Sequence, residues 1–497
     1  MMDEEYILSI DQSTSGTKVL LIDSEARIIH KKSKNHRQLY PQAGWVEHDP
    51  MEIYENVKRL IREVMDTSTI PREQLKVLTI TNQRETVLIW DKQTGGPVHN
   101  AIVWQCRRTT DICKVLKEQG IEAEVKARTG LTLDPYFSSS KVKWLMDNVE
   151  GVRERAEQGN LLMGTIDTWL IWKLTNGTVH STDITNASRT MLYNIHALQW
   201  DDVLLDVFDI PSIMLPRVQH CDEIFGTVMD PEIACVGIRI SGVIGDSQGA
   251  LFGQRCFEKG MAKATFGTGT SVLVFTDDLV ESKNGLVTSV AWGKNGKVSF
   301  AQEGIIHSTG DVIKWMIEDL GLINDISEVE ALAESVPNNE GVYLVPAFVG
   351  LGAPYWSPET RAAITGMSRG TNKAHIIRAA LESIAYQVKD VLELVEEESG
   401  IKIKEIRADG GAASNQFLMQ YLADLLGINV IVSDMNELST LGSAYLGGLG
   451  AGIWNSQDEL TTLNKNLNTY QSKFSAEING YHTIWKNMVQ RVLVTSE

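Results

Sequence analysis

YILSIDQSTSGTKVLLID, residues 6 to 23, consists of two apolar runs around a turn of small polar residues. Ile7 to Ile10 and Val19 to Ile22 read as short strands, so the stretch is expected to form a β-hairpin. The pattern returns later in the chain as MAKATFGTGTSVLVFTD, residues 261 to 277, where Gly267-Thr268-Gly269-Thr270 leads into the apolar run Val272 to Phe275. One such hairpin in each half predicts two related α/β domains. The Gly-rich segment from Gly249 to Gly260 is the expected crossover between them.

Strands and helices alternate elsewhere, as an α/β chain requires. LKVLTITNQRETVLIWD (75–91) reads as strand, polar corner, strand. In 371–400, Ile377, Leu381, Ile384, Val388, Val391 and Val395 recur at helical spacing, with Thr371 or Asn372 to cap the start and Gly400 to end it. A second amphipathic helix is expected from Gln416 to Leu426. LGSAYLGGLGAG (441–452) is dense in small residues. As a helix it would either let two backbones approach closely or lie loosely on the surface.

At 497 residues the chain has room for two or three domains of roughly 100–200 residues each. Its formal net charge of −18 argues against nucleic-acid binding and against docking on an anionic membrane. An anionic ligand would need local positive potential from a few Lys or Arg, backbone N–H groups or a metal. The acidic start, MMDEEYILSIDQ, does not read as a signal peptide, and no run approaches the ~18 apolar residues of a membrane span. Cys106, Cys113, Cys221, Cys235 and Cys256 are scattered without a C-x-x-C, so reduced thiols in a cytoplasmic protein are expected.

Three Gly/Thr segments share one chemistry. Asp11 ends the first strand, followed by Thr14, Ser15, Gly16, Thr17 and Lys18. Hydroxyls, free N–H groups and an ammonium can surround a phosphate, and Asp11 would hold Mg²⁺ through water. Taken alone, this hairpin is equally well a plain polar turn. The second turn, around Thr268, repeats the chemistry. The third, ADGGAASN (408–415), follows a strand and opens a helix. Gly410 and Gly411 would let a flat base and ribose lie on the backbone, and Asn415 would hydrogen-bond the base. Between the halves stands VIGDSQGALFG (243–253), whose Asp246 sits on a glycine-flanked corner. Neither a Walker A loop nor a Rossmann fingerprint is present.

The order of these segments resembles the two-domain actin/hexokinase-like ATPase fold, built from ribonuclease H-like domains. Within it, the chain resembles the FGGY carbohydrate kinases along essentially its whole length, and most closely their glycerol-phosphorylating members. The resemblance rests on GWVEHDP (44–50), ITNQRET (80–86), NAIVWQCRRT (100–109), DPYFSSSKVKWL (134–145), GTIDTWLIWKLT (164–175), TNASRTMLYNIH (185–196), VPAFVGLGAPYW (345–356) and GMSRGTNKAHIIRAALESIAYQ (366–387). It implies an N-terminal domain, 1–253, with the polyol site and phosphate hairpin, and a C-terminal nucleotide-binding domain, 254–497. It also implies an active site in the cleft between them, ATP and Mg²⁺ as cofactors, and a homodimer or homotetramer. Gly310 and Lys314 join Thr268, Gly411 and Asn415 as nucleotide contacts by the same resemblance.

The implied reaction phosphorylates a terminal hydroxyl of glycerol to give glycerol 3-phosphate. Arg84 and Glu85 would bind the hydroxyls by this resemblance, whereas by themselves they read rather as a surface ion pair. Trp104 and Tyr136 would flank the carbon chain, although aromatics are more often core. Asp246 would take the hydroxyl proton and share the Mg²⁺ site; its alternative role is to cap a helix beginning near Gln248. The chain departs from the family pattern at four positions. Ser247 stands where glycerol-phosphorylating members usually carry Gln, Ser271 where they carry Phe, Lys18 where they carry Arg, and Lys314 where they carry Gln. The two serines are smaller, which opens the alternative of a larger polyol or ketose (a tetritol, pentitol or pentulose) as acceptor.

Overall fold

The computed structural model describes residues 5–494, except 358, 434, 436, 464–466 and 474–475. Two compact units make up the chain. The first comprises residues 1–255, 289–300 and 437–465; the second comprises 256–288, 301–436 and 466–497.

In the first unit the hairpin forms as expected. Tyr6–Gln12 pairs antiparallel with Gly16–Asp23, Asp11 lying opposite Lys18. Tyr6–Gln12 also pairs in parallel with Leu75–Asn82. Being bonded on both edges and covered on both faces, all seven of its residues are buried, which explains a near-continuous apolar run. The full sheet runs Gly226–Thr227, Arg239–Gly245, Leu75–Asn82, Tyr6–Gln12, Gly16–Asp23, Ile28–Asn35. A second sheet, Glu47–His48, Ala101–Ile102, Val87–Asp91, Leu161–Thr165, takes the strand after the 83–86 corner. That corner therefore passes the chain from one sheet to another.

The second unit repeats the plan. Met261–Phe266 pairs antiparallel with Thr270–Asp277 and in parallel with Glu405–Asp409. Asn429–Ser433 and Leu467–Tyr470 extend the sheet. The long helix, Lys373–Ser399, covers it with Ile377, Leu381, Ile384, Val388, Val391 and Val395 in one core. Asn372 is the cap: its Oδ1 accepts from the Ala374 N–H, and His375 Nδ1 accepts from the Asn372 N–H. Gly400, at φ 69°, ends the helix in the left-handed region. Gln416–Leu426 is helical as expected.

Two sequence expectations need correction or resolution. Gly249 to Gly253 are not crossover; they lie inside the helix Asp246–Gly253, and the chain leaves the first unit after Arg255. The small-residue segment is the helix Leu438–Ala451, and it is buried rather than loose on the surface. It packs backbone to backbone on Asp246–Gly253: a Cβ on Gly442 would stand 1.8 Å from the Gly249 carbonyl oxygen, and one on Gly253 2.0 Å from that of Leu438. A hydroxyl triangle of Ser9, Thr79 and Ser443, at 2.7–3.1 Å, ties the same helix to two central strands.

A prediction follows for this helix pair. Gly442→Ala forces the helices apart and is expected to cost ~1–3 kcal/mol or more, read from chemical denaturation. Gly480→Ala, on an exposed helix position with nothing near an added Cβ, is expected to be neutral or to stabilise by ~0.5–1 kcal/mol.

Candidate active site

The first hairpin places Asp11, Thr14, Ser15, Gly16 and Lys18 together. Gly16 is required by space: a Cβ there would meet the Lys34 carbonyl oxygen at 2.8 Å. Thr14 Oγ1 accepts from Trp104 Nε1 at 3.0 Å. The N–H groups of Thr14 and Ser15 have no partner among the described residues. Lys18 Nζ lies 3.5 Å from Asp11 Oδ2 and 2.7 Å from Glu437 Oε2; Lys31 also pairs with Glu437. Thr440 Oγ1 donates to Asp11 Oδ2 at 3.3 Å. Burial pushes the Asp11 carboxyl up to about 6. Lys18 pulls the other way, while the charges of Glu437 and Asp246 add to the rise. Burial works against the Lys18 ammonium, but Asp11 and Glu437 outweigh it and hold the Lys18 pKa above its usual value.

The Arg84–Glu85 corner is buried, which rules out a surface ion pair. Glu85 takes a left-handed φ of 62°, so the turn is sharp. Arg84 Nε stands 3.3 Å from Asp246 Oδ1 and 3.9 Å from Glu85 Oε1. Arg84 Nη1 donates to Gln248 Oε1 at 3.3 Å. Glu85 Oε1 accepts from Arg189 Nε at 2.6 Å. Gly245 makes room for this packing, since a Cβ there would be 2.9 Å from Arg84 Cγ. The neighbouring segment is held from below by Lys141, whose buried ammonium donates to the carbonyls of Pro135, Tyr136 and Phe137 at 2.5, 2.7 and 2.9 Å. Burial pushes that lysine down to about 8. Tyr136 and Trp104 are both half-buried, with ring centroids 5.3 Å apart, so neither is a core residue.

Asp246 is the first residue of its helix, not a cap for one beginning near Gln248. Its Oδ1 accepts from the Ser247 N–H at 2.7 Å, and the preceding Gly245 N–H donates to Thr185 Oγ1 at 2.9 Å. Asp246 and Ser247 are half-buried. The first unit therefore gathers Asp11, Lys18, Arg84, Glu85 and Asp246 into one charged network.

In the second unit the exposed Thr268 lies on the hairpin turn, and its carbonyl accepts from the N–H groups of Thr309 and Asp311 at 2.9 and 3.3 Å. Gly310 packs on the same turn, where a Cβ would lie 2.5 Å from the Gly267 oxygen. Lys314, exposed on the helix that Gly310 begins, stands 3.6 Å from Glu318. Gly411 has open space where a side chain would be. Asn415 caps Gln416–Leu426, its Oδ1 accepting from the Leu418 N–H at 2.8 Å. That leaves its Nδ2, rather than Oδ1, to face a ligand. Ser271 Oγ donates to Glu303 Oε1 at 3.3 Å.

Sequence reasoning missed Glu437, Thr440, Arg189 and Lys141. Glu437 and Thr440 reach Asp11 and Lys18 from more than 400 residues away, and no local pattern announces such a contact. Arg189 and Lys141 lie in motifs already quoted, but among polar neighbours their burial is not visible in the sequence.

Residues 6–253 match the model of the FGGY family of carbohydrate kinases, N-terminal domain, and residues 262–451 match its C-terminal domain. The chain belongs to the FGGY family of carbohydrate kinases. It is 51% identical to a glycerol kinase of Petrotoga mobilis over 98% of both chains. Its structure resembles that of Plasmodium falciparum glycerol kinase with ADP, with a TM-score of 0.94, 37% identity and 99% of both chains covered. A xylulose kinase from Lactobacillus acidophilus, 19% identical with a TM-score of 0.88 over 98% of both chains, shares the fold.

The Asp11 carboxyl yields a pH prediction. Its folded pKa is raised, so between about 4 and 6 the folded state holds a proton that the unfolded state has released, and stability falls as pH rises through that window. Relative to Asp11→Asn, the wild-type protein without ligands is expected to lose about 3 kcal/mol between pH 4 and pH 7, on the order of the shift in pKa. Parallel denaturation curves of the two proteins across that range test it; a constant difference overturns it.

Proposed function

We propose that the chain is a kinase that transfers the γ-phosphoryl group of ATP to a terminal hydroxyl of glycerol, giving glycerol 3-phosphate. The observation that carries this reading is the buried Arg84 guanidinium 3.3 Å from Asp246, beside Glu85, in a chain half identical along its length to a glycerol kinase. Arg84 donates to, and Glu85 accepts from, the polyol hydroxyls. Trp104 and Tyr136 flank its carbon chain. Asp246, oriented by Arg84 and by the Ser247 N–H, takes the proton of the attacking hydroxyl. Ser247 borders the same corner. In this reading residues 1–253 carry the polyol site and the phosphate hairpin, and 254–497 the nucleotide contacts.

The hairpin suits phosphate and Mg²⁺. The unpaired N–H groups of Thr14 and Ser15, the backbone of Gly16 and the Lys18 ammonium face phosphate oxygens. Asp11 is a buried carboxyl that loses stability on ionising, so a divalent cation held through water, with Asp246 as a further ligand, would offset its burial. When bound, the ion supplies charge neutralisation at the phosphates. Thr268 and Gly310 contact phosphate through backbone and hydroxyl, Gly411 admits the ribose and base, Asn415 Nδ2 donates to the base, and Lys314 adds a positive charge.

One observation favours a broader acceptor range. Ser271 presents a hydroxyl bonded to Glu303 and 3.5 Å from Lys263 Nζ, a polar group where the family resemblance has an aromatic ring. Steady-state kinetics on glycerol, tetritols, pentitols and ketopentoses decide between the two. Glycerol is expected to have the highest kcat/KM, and a longer acceptor that exceeds it would replace glycerol as the substrate. Asp246→Asn is expected to lower turnover ~10²-fold or more while ATP affinity stays within about threefold. An equal loss of ATP affinity would make Asp246 a structural residue.

A further inference from the structure

Five consecutive carbonyl oxygens of the first hairpin turn, Gln12 to Gly16, all accept hydrogen bonds from protein groups. Gln12 O accepts from the Gln83 N–H at 2.7 Å, Ser15 O from the His36 N–H at 3.3 Å, and Gly16 O from the Ser13 N–H at 2.9 Å. These three come from backbone. The other two are held by side chains. Ser13 O accepts from Gln12 Nε2 at 3.1 Å and Gln83 Nε2 at 3.4 Å, and Thr14 O accepts from Gln38 Nε2 at 2.9 Å.

In a trans peptide the carbonyl of one residue and the N–H of the next point in opposite directions. Fixing Ser13 O therefore fixes the Thr14 N–H, and fixing Thr14 O fixes the Ser15 N–H. Both of those N–H groups have no partner among the described residues. The glutamines thus set the direction of the donors without touching whatever those donors bind.

His48 links the two glutamines. Its Nε2 lies 2.8 Å from Gln38 Oε1, which can only accept, so Nε2 carries the proton. Its Nδ1 is then bare and accepts from Gln83 Nε2 at 3.3 Å. Gln83 Oε1 is held in turn by Thr86 Oγ1 at 2.9 Å, which fixes the orientation of that amide. His48 and Gln83 are fully buried. Burial, with the neighbouring His36 ring 4.4 Å away, pushes His48 down to about 3, so the neutral tautomer that this pattern requires persists.

We propose that Gln38, His48 and Gln83 form a positioning relay that holds the Thr14 and Ser15 N–H groups toward the phosphates of the nucleotide. The proposal rests on the reading of this turn as the phosphate site. It makes the three residues positioning residues for phosphoryl transfer, acting through the backbone of the turn.

Gln38→Glu keeps the size of the side chain but sets a carboxylate against the Thr14 carbonyl; Gln38→Leu simply removes the donor. Both are expected to lower kcat/KM for ATP by about tenfold or more, with KM for glycerol changed less than about twofold. ATP affinity is expected to fall while adenosine affinity holds, because adenosine has no phosphate for the turn to bind. His48→Leu should behave like the Gln38 variants. His48→Gln, which keeps a donor toward Gln38, should recover most of the loss. Should Gln38→Glu fail to fold, Gln38→Leu and the His48 pair give the same reading. Gln38→Leu and His48→Leu both within about twofold of wild type in kcat/KM for ATP, or equal losses for ATP and adenosine, would overturn the relay. A wild-type protein that phosphorylates no polyol would instead overturn the function proposed above, and the ATP-against-adenosine comparison would still test the relay.

Discussion

The backbone contact between the helices Asp246–Gly253 and Leu438–Ala451 is the constraint on which the first unit depends. With a Gly442 Cβ excluded at 1.8 Å from the Gly249 oxygen, no other residue fits without moving a helix. The contact does two things at once. It seats the helix whose first residue is Asp246. It also brings Glu437 and Thr440, at the start of the second helix, to Lys18 and Asp11. Two carboxylates, Asp246 and Glu437, that stand 191 positions apart in the chain are thereby placed by a single packing decision.

The charge arrangement follows from that packing. Burial is the main cause of the raised Asp11 carboxyl; the charges of Glu437 and Asp246 add to it, and Lys18 offsets only part of the rise. Such a cluster is costly to bury. In a chain with a net charge of −18, positive groups are gathered locally here: the Lys18 ammonium on Asp11 and Glu437, and the Arg84 guanidinium on Asp246.

The Arg84–Glu85 corner is built on the same logic of buried, mutually satisfied charge. Arg84 and Glu85 are held by Asp246, Gln248 and Arg189, so their positions are set by the protein itself. Lys141 fixes the backbone that carries Tyr136 by occupying three successive carbonyls. The hairpin turn is fixed in the same manner by Gln12, Gln38 and Gln83. In both places a side chain bonds to peptide carbonyls, and the opposite face of the backbone is left to present its groups.

The sequence by itself determined the local elements. Alternating apolar runs with Gly/Thr turns specify both hairpins, because a strand buried on both faces must be apolar and a tight turn must be small. Helical spacing with Asn372 and Gly400 specifies the long helix, because caps and periodicity are short-range properties. The motif order also carried the family. What the tertiary structure alone decided were the long-range pairings: Glu437 and Thr440 with Lys18 and Asp11, Arg189 with Glu85, and the burial that makes Arg84–Glu85 an interior pair rather than a surface one. The glycines of 441–452 could have lain on a surface or against another backbone, and only the facing helix settles which. The physical reason is the same in each case. Propensity, capping and periodicity act within a few residues, whereas burial and charge pairing depend on which distant segments the packing brings together.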